Sequence, residues 1–542
     1  MFSFIKGKPD SGNDEKNNGQ DPSSAKLKDY LEMTLKANLE VLKKKTGNSS
    51  DIVIRSLSEK NFKVKIAIVY IKGLIDTQTL HDFLIESILN NPVLHEKSIP
   101  KEALQFIGEE VIALGEIKEV VDWDSLFTDL MSGNTIIFID GVREALSAST
   151  QGGERRSIQE STTSIAIRGS KESFTESIET NIAMVRRIIN TPDLWSESMK
   201  IGKTTKTDVS LLYINGIAKK EIIEEVRTRL KRINIDGILE SGYIEQLIED
   251  ETKTTFPTIN HTDRPDKIAG NLLEGKIAIF VNGTPFVLLV PALFIDFFQS
   301  VEDYYERFDI STAIRFLRIA IFFISLVGPA VYIAATTSHQ EMIPTKLVII
   351  IAAQRESVPF PAFLEALIME ITFEILREAG LRMPKAIGST ISIVGALVIG
   401  QAAVQAGIVS PAMVIVVSIT AIASFATPSY EVAISARMIR FVYMLSAAVF
   451  GFYGITLAFI VLIVHLCSLR SFGVPYMSPL APFIKDEVGD TIFRRPLWAY
   501  KKKPRLMSES TNTGQGETQK PKPPGPRNMV NSTVRKGGRN EP

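Results

Sequence analysis

Apolar and polar residues alternate on two different length scales along this chain. Up to about residue 290, short apolar runs are separated by charged stretches. From residue 314 to 469 the apolar runs become long and nearly uncharged. Residues 387–409 read IGSTISIVGALVIGQAAVQAGIV, with no charge and about the length needed to cross a hydrocarbon core. Small residues crowd this run. In lipid, where packing rather than hydrophobicity drives helix association, they let backbones approach closely, which makes Gly395, Gly400 and Gly407 candidate packing positions. The pattern predicts further spans over 314–336, with Pro329 as a kink, over 413–426 and over 441–469. Residues 284–298 carry two prolines and Asp296 and are short for a crossing, so they read as an interfacial or re-entrant segment. An extra span or re-entrant pair within 345–376 would raise the count, giving four to six membrane segments.

The orientation follows from charge. An even number of spans puts both ends on one side, and Lys501, Lys502, Lys503 and Arg505 place the C-terminus in the cytoplasm. With four spans, Lys346, Arg355, Arg377, Arg382 and Lys385 fall on the far side, against the positive-inside rule.

In the first half, residues 1–24 are polar and are expected to be disordered. Residues 27–42 show helical spacing of leucines, closed by Lys43, Lys44 and Lys45. An internal duplication follows. VKIAIVYIKG at 64–73 is echoed by DVSLLYING at 208–216, and LMSGNTIIFIDG at 130–141 by LEGKIAIFVNG at 273–283. Gly73, Gly133 and Gly141 recur at nearly constant spacing as Gly216, Gly275 and Gly283. Strand-like runs followed by amphipathic helix patterns predict two related α/β subdomains. The expected layout is a tail and amphipathic helix (1–49), subdomain 1 (50–150), a linker and helix (151–194) and subdomain 2 (195–290). A multi-span α-helical membrane domain (291–470) and a largely disordered cytoplasmic C-terminal tail (471–542) complete it. The repeats read either as a sensing and coupling module or as plain scaffold.

Composition narrows the function. With 61 basic and 61 acidic residues the net charge is zero, so nothing points to a whole-protein nucleic-acid binder. The single cysteine, Cys467, permits neither an intrachain disulfide nor a cysteine-based zinc site. The N-terminus lacks the charged-then-apolar pattern of a cleavable signal, so the first half is expected in the cytoplasm. The chain has no phosphate loop, no GxGxxG after a strand, no CxxC and no GxSxG. It reads as a non-enzyme without cofactor or metal.

Candidate chemistry lies in the apolar half. On a helix, Glu370, Glu374 and Glu378 recur every four residues and share one face. Copies of that face around a wet path would attract cations; alternatively the helix lies at the membrane surface with its charges in water. Arg355 and Glu356 precede Pro359 and Pro361, which break the chain and make a gate, a hinge or a simple turn. His339 belongs to no metal motif, and His465 reads as a packing histidine or a proton carrier. The EDYYER segment at 302–307 reads as an interfacial anchor or an ordinary helix start.

Several collinear stretches resemble one family: the A subunit of the GerA-type spore germinant receptors of endospore-forming bacteria. They include RGSKESFTESIETNIAMVRRIINTPDL at 168–194, TDRPD at 262–266, EGKIAIFVNGTPF at 274–286 and FFQSVEDYYER at 297–307. QRESVPFP at 354–361, LREAGLRMP at 376–384, IVGALVI at 393–399 and VSPAMVIVV at 409–417 continue the series. The resemblance runs from about residue 50 to about 490; Val301 stands where the family usually has proline. It implies a multi-pass protein of the spore inner membrane whose N-terminal part faces the spore core. It further implies a transporter-like B subunit and a lipoprotein C subunit as partners, and A subunits that oligomerise around a path for monovalent cations released in response to nutrients. A non-conducting scaffold that clusters the other subunits is the alternative.

Overall fold

The computed structural model describes residues 29–57, 64–89, 99–111, 117–153, 167–382, 398, 400–485, 487–500 and 503–509. The duplication seen in the sequence is a duplication of fold. The first unit contains α1 (Leu35–Lys45), β1 (Ile52–Leu57) and β2 (Ile66–Ile71). These are followed by α2 (Pro100–Phe106), β3 (Ile117–Val120), α3 (Trp123–Met131), β4 (Thr135–Ile139) and β5 (Ala145–Ala148). The second unit repeats the order. It comprises α4 (Ile178–Ile188), β6 (Leu194–Ile201), β7 (Thr207–Ile214), α5 (Lys220–Arg232) and α6 (Ser241–Ile248). It ends with β8 (Asn260–Thr262), α7 (Pro265–Leu273), β9 (Ile277–Val281) and β10 (Val287–Val290).

Each unit is one five-stranded antiparallel sheet, with strand order β1-β2-β4-β5-β3 in the first and β6-β7-β9-β10-β8 in the second. The glycine anchors match in backbone as well as in position. Gly73 and Gly216 have φ of 75° and 76°, and Gly133 and Gly275 have 95° and 97°. These are turns that only a residue without a Cβ adopts freely.

Helices cover both faces of each sheet, which explains why the central strands are nearly continuous apolar runs. In β9, Ile277, Ile279 and Val281 join the core beneath α5 and α6, while Ala278 and Phe280 join the core beneath α4 and α7. The same reasoning corrects the reading of residues 284–298. Val287–Val290 is a fully buried strand paired to β8 and β9, and Phe294–Phe298 is a short 3-10 turn. A strand buried on both faces and a short membrane segment have the same composition, so only tertiary packing separates them.

The units are locked together by a buried ion pair. Arg186 of α4 donates from Nε and Nη2 to the Asp51 carboxylate at the head of β1, and its Nη2 also reaches the Leu194 carbonyl at 2.9 Å. Trp195 Nε1 donates to the Lys45 carbonyl across the same seam.

Beyond the second sheet the chain becomes helical: α8 (Phe308–Thr337), α9 (Thr345–Arg355), α10 (Ala362–Arg382), α11 (Pro411–Phe425) and α12 (Tyr430–Ser468). By length and composition, α8 and α12 are long and apolar enough to cross a membrane, and α11 is a shorter apolar helix. The expected span 387–409 lies mostly outside the described residues, as does Gly395; residues 400–405 are helical.

The longest helix is folded back on itself. Gly451 has φ 61° and ψ −141°, outside helical space. His465 Nε2 lies 2.9 Å from Thr254 Oγ1, and Ser435 donates to the carbonyl of the adjacent Thr255. A straight helix would hold residues 435 and 465 about 45 Å apart at 1.5 Å per residue. Both reach neighbouring residues of one loop, so 430–450 and 452–468 form a hairpin with its tip at Gly451. Ser338 and His339, just beyond the end of α8, pack against that tip.

Parts of the stretch assigned by composition to a C-terminal tail return to the second unit. Phe472, Val474 and Met507 enter its core, and Glu509 N donates to the Ile217 carbonyl at 2.9 Å.

Candidate functional site

The loop 254–259 joins soluble unit to helices. Besides the contacts of Thr254 and Thr255, the carbonyls of Pro257 and Thr258 accept from Tyr476 Oη at 2.7 Å and Ser471 Oγ at 2.6 Å. Phe256 is buried in the helix-bundle core with Phe297, Phe298 and Phe322. His465 is therefore a positioned packing partner of Thr254.

Beside this loop, β8 meets the start of α12. His261 Nδ1 donates to Glu431 Oε1 at 2.8 Å, and its ring stacks edge-on against Phe286. Glu245 of α6 closes the group, with the three donor atoms within 4.8 Å of one another. Burial, then the Glu431 charge, pushes the Glu245 carboxyl up to about 7. Burial opposes a proton on His261, but the hydrogen bond and charge of Glu431 outweigh it and raise that imidazole above its ordinary value. Two carboxylates around one imidazole hold a proton that neither carboxylate would hold alone. A second trio, His81, Asp82 and Glu86, lies on an exposed helix face, where water competes for any cation.

A rack of buried charges fixes the base of α8. Arg315 donates to Asp303 and Asp490 at 2.9 Å each, and Arg318 to Asp303 at 2.7 Å. Tyr304 Oη donates to Asp490, and Tyr305 Oη to Asp266 at 3.0 Å. Burial raises both phenols, Tyr305 to about 12. The EDYYER segment thus anchors protein to protein through its tyrosines. Lys276 Nζ bonds Asp296 at 2.6 Å, and Asp296 in turn accepts from Leu293 N, tying β9 to the entry of the bundle.

Within the bundle the acidic stripe is not uniform. Glu370 is 7% exposed and accepts from Arg440 Nη1 at 2.6 Å; Arg440 also donates to Ser325 O and Ser325 Oγ, so one guanidinium joins α8, α10 and α12. Glu374 is 52% exposed and is shared by Arg437 at 3.0 Å and Arg377 at 2.9 Å. Glu378 is 59% exposed and pairs along its own helix with Arg382.

The proline break is built around a residue outside that stripe. Glu365 is fully buried, accepting from Arg355 Nε at 3.2 Å and from Ser410 N at 2.9 Å. Glu356, Pro359 and Pro361 are exposed in the connection between α9 and α10. Gly407, with φ +66°, brings its Cα beside the Ser357 carbonyl, whereas Gly400 packs near Val414. Glu365 thereby pins the 356–361 break to the 406–410 break before α11. Sequence reasoning missed Glu365, Arg440, the His261–Glu431 contact and the Gly451 hairpin. A glutamate inside an apolar helix ten residues after Arg355 was the available signal for the first.

A duplicated α/β unit joined through buried hydrogen bonds and ion pairs to a bundle of long apolar helices defines the class of a membrane-associated protein with a soluble α/β half. The family described as "Bacillus/Clostridium GerA spore germination protein" matches residues 40–506. Spore germination protein KA of Bacillus subtilis (strain 168) is 58% identical over 94% of this chain and 93% of its own. Spore germination protein GerLA of Bacillus cereus is 38% identical over 89% of this chain and 98% of its own. The crystal structure of the N-terminal domain of the A subunit of the Bacillus megaterium spore germinant receptor GerK3 is 50% identical, covering 50% of this chain and 99% of that one at a TM-score of 0.41. The chain belongs to the GerA spore germination protein family.

Proposed function

We propose that this protein is the A subunit of a nutrient germinant receptor in the spore inner membrane. It triggers germination by nutrient-gated release of monovalent cations, with A subunits oligomerising around the ion path. A transporter-like B subunit and a lipoprotein C subunit complete the receptor. The reading is carried by near full-length similarity to spore germination protein KA. The soluble repeats would transmit the closed-to-open shift through loop 254–259 into the hairpin of α12.

The contacts support a six-crossing path. α8 leads away from the soluble unit, since its end meets the Gly451 tip. α10 and α11 lead back, because Glu365 bonds Ser410 at one end while Arg377 bonds Ser424 at the other. The hairpin supplies two more crossings, and one falls to the run 387–409. Arg377 and Arg382 then lie on the side of the soluble unit, which reduces the conflict with the positive-inside rule to Lys346 and Arg355 of α9. The N-terminal part faces the spore core in this arrangement.

Of the stripe, Glu374 and Glu378 are the carboxylates with open surface to offer an ion path, and Glu370 is a latch between helices. Arg355, Glu356, Pro359 and Pro361 form the hinge, held by Glu365. Spores carrying Glu374→Gln with Glu378→Gln at normal protein level should release monovalent cations at least tenfold more slowly after germinant addition. Unchanged release removes both residues from the path.

One observation favours a non-conducting scaffold instead: all three carboxylates of the stripe have arginine partners within the same subunit. Liposomes containing the complete receptor separate the readings. Germinant-dependent conductance blocked by A-subunit variants supports a path through this chain, and conductance indifferent to them supports the scaffold.

A further inference from the structure

A cavity of about 430 Å³ lies where the second soluble unit meets α8, α10, α11 and α12. Its volume falls in the range of small-molecule sites. Among the described residues, five cationic side chains line it, Arg264, Lys267, Arg318, Arg377 and Arg437, against two acidic ones, Asp296 and Glu302. Both acids are engaged elsewhere. Asp296 bonds Lys276, and Glu302 accepts from Ile167 N.

The cations are unevenly compensated. Arg264 has Asp266, and Arg318 has Asp303. Arg377 and Arg437 share the single carboxylate of Glu374. Each of these two side chains is nine-tenths buried, and each keeps a buried Nε–H with no acceptor among the described residues. Lys267 donates to a neutral amide oxygen, Asn260 Oδ1, at 3.3 Å. Burial, then the charge of Lys276, lowers this ammonium to about 8. A buried donor without an acceptor costs about 1–3 kcal/mol, and more when it belongs to a charged group, so two such donors on side chains that line one cavity call for a missing partner.

We propose that this cavity binds a phosphate-class anion, supplied by an anionic phospholipid headgroup or by a free phosphate ester. Guanidinium Nε–H groups suit tetrahedral oxyanions, which accept two parallel hydrogen bonds from an arginine edge. The location fits a headgroup: basic pockets between membrane helices on the cytoplasmic side are where such lipids are held. The site includes residues from the soluble unit and from four helices, so an occupant would strengthen the junction. It stands independently of whether the chain conducts ions.

The test uses the purified full-length chain in neutral detergent, with native mass spectrometry and thermal unfolding as readouts. Phosphatidylglycerol, phosphatidylcholine and inorganic phosphate are added separately. A one-to-one phosphatidylglycerol adduct with a raised unfolding temperature, absent for phosphatidylcholine, assigns the site to a headgroup. A saturable rise with inorganic phosphate that competes with the lipid assigns it to a free phosphate ester. In either case Arg437→Gln and Lys267→Gln should weaken binding at least tenfold, while Arg382→Gln, exposed and outside the cavity, should not. Lys267→Gln leaves the Glu374 ion pairs intact, so it reports on binding even if Arg437→Gln fails to fold. Absence of binding to both probes, or equal affinity in Lys267→Gln and Arg382→Gln, overturns the proposal.

Discussion

Arg440→Met gives the sharpest test of how the bundle is held together. In the wild type this guanidinium is 2% exposed and bonds Glu370 Oε2 at 2.6 Å, Ser325 O at 2.6 Å and Ser325 Oγ at 3.0 Å. Its removal strands the Glu370 carboxylate, 7% exposed, among α8, α10 and α12. Breaking a buried pair by deleting one partner costs about 3–5 kcal/mol, because the remaining charge has lost its compensation without regaining water. Glu370→Leu strands Arg440 in the same way and should cost a similar amount. The double variant Glu370→Leu with Arg440→Met removes both charges and fills the space with apolar atoms. It should return to within about 1–2 kcal/mol of wild type, since well-packed apolar replacements of buried pairs are close to neutral. The cycle is measured by chemical denaturation of the chain in mixed micelles, following helical circular dichroism. Single variants as stable as wild type, or a double variant losing the sum of both, would refute the claim that one ion pair latches three helices.

Two further outcomes follow from the junction and the hairpin. The Glu245 carboxyl titrates at about 7 when folded and near the ordinary 4.5 when unfolded, so the folded state holds the extra proton between those values. Stability from this group is present at low pH and is lost as pH rises from about 4.5 to 7; the raised His261 pKa acts in the same direction from about 6.5 upward. Glu431, Glu240, Glu249 and Lys267 are the charged groups around this pair. The unfolding temperature of the full chain should therefore fall from pH 5 to pH 8, and Glu245→Gln should flatten the profile; an unchanged slope in that variant rules out the cluster as its source. Gly451→Ala forces a Cβ into a backbone conformation that side chains rarely adopt and to within 2.5 Å of the His339 ring. The strain alone is worth about 1–3 kcal/mol. Protease exposure of the Gly451 tip should rise, and wild-type resistance would mean that the helix does not turn there.

The fold of the soluble half was legible because repeated local patterns carry it. Tyr70-Ile71 before Gly73 and Tyr213-Ile214 before Gly216 announce the same strand-to-turn transition twice, and the structure gives both sheets one strand order. Long uncharged runs likewise announced apolar helices. The acidic stripe was legible as a spacing, but its chemistry was not. Whether Glu370 meets water or Arg440 depends on a residue seventy positions away, and no local period encodes that pairing.

The sequence by itself determined the duplicated α/β half, the apolar helices that follow it and the family to which the chain belongs. These are properties of local periodicity and of ordered motifs. Tertiary structure alone decided that 287–290 is a sheet strand, that α12 turns back at Gly451, that residues 503–509 dock on the second unit, and that Arg377 and Arg437 share one carboxylate beside a cationic cavity. Each of these depends on which surfaces meet across long separations in the chain. Burial and charge compensation settle that choice, and both are sums over neighbours that only the folded chain brings together.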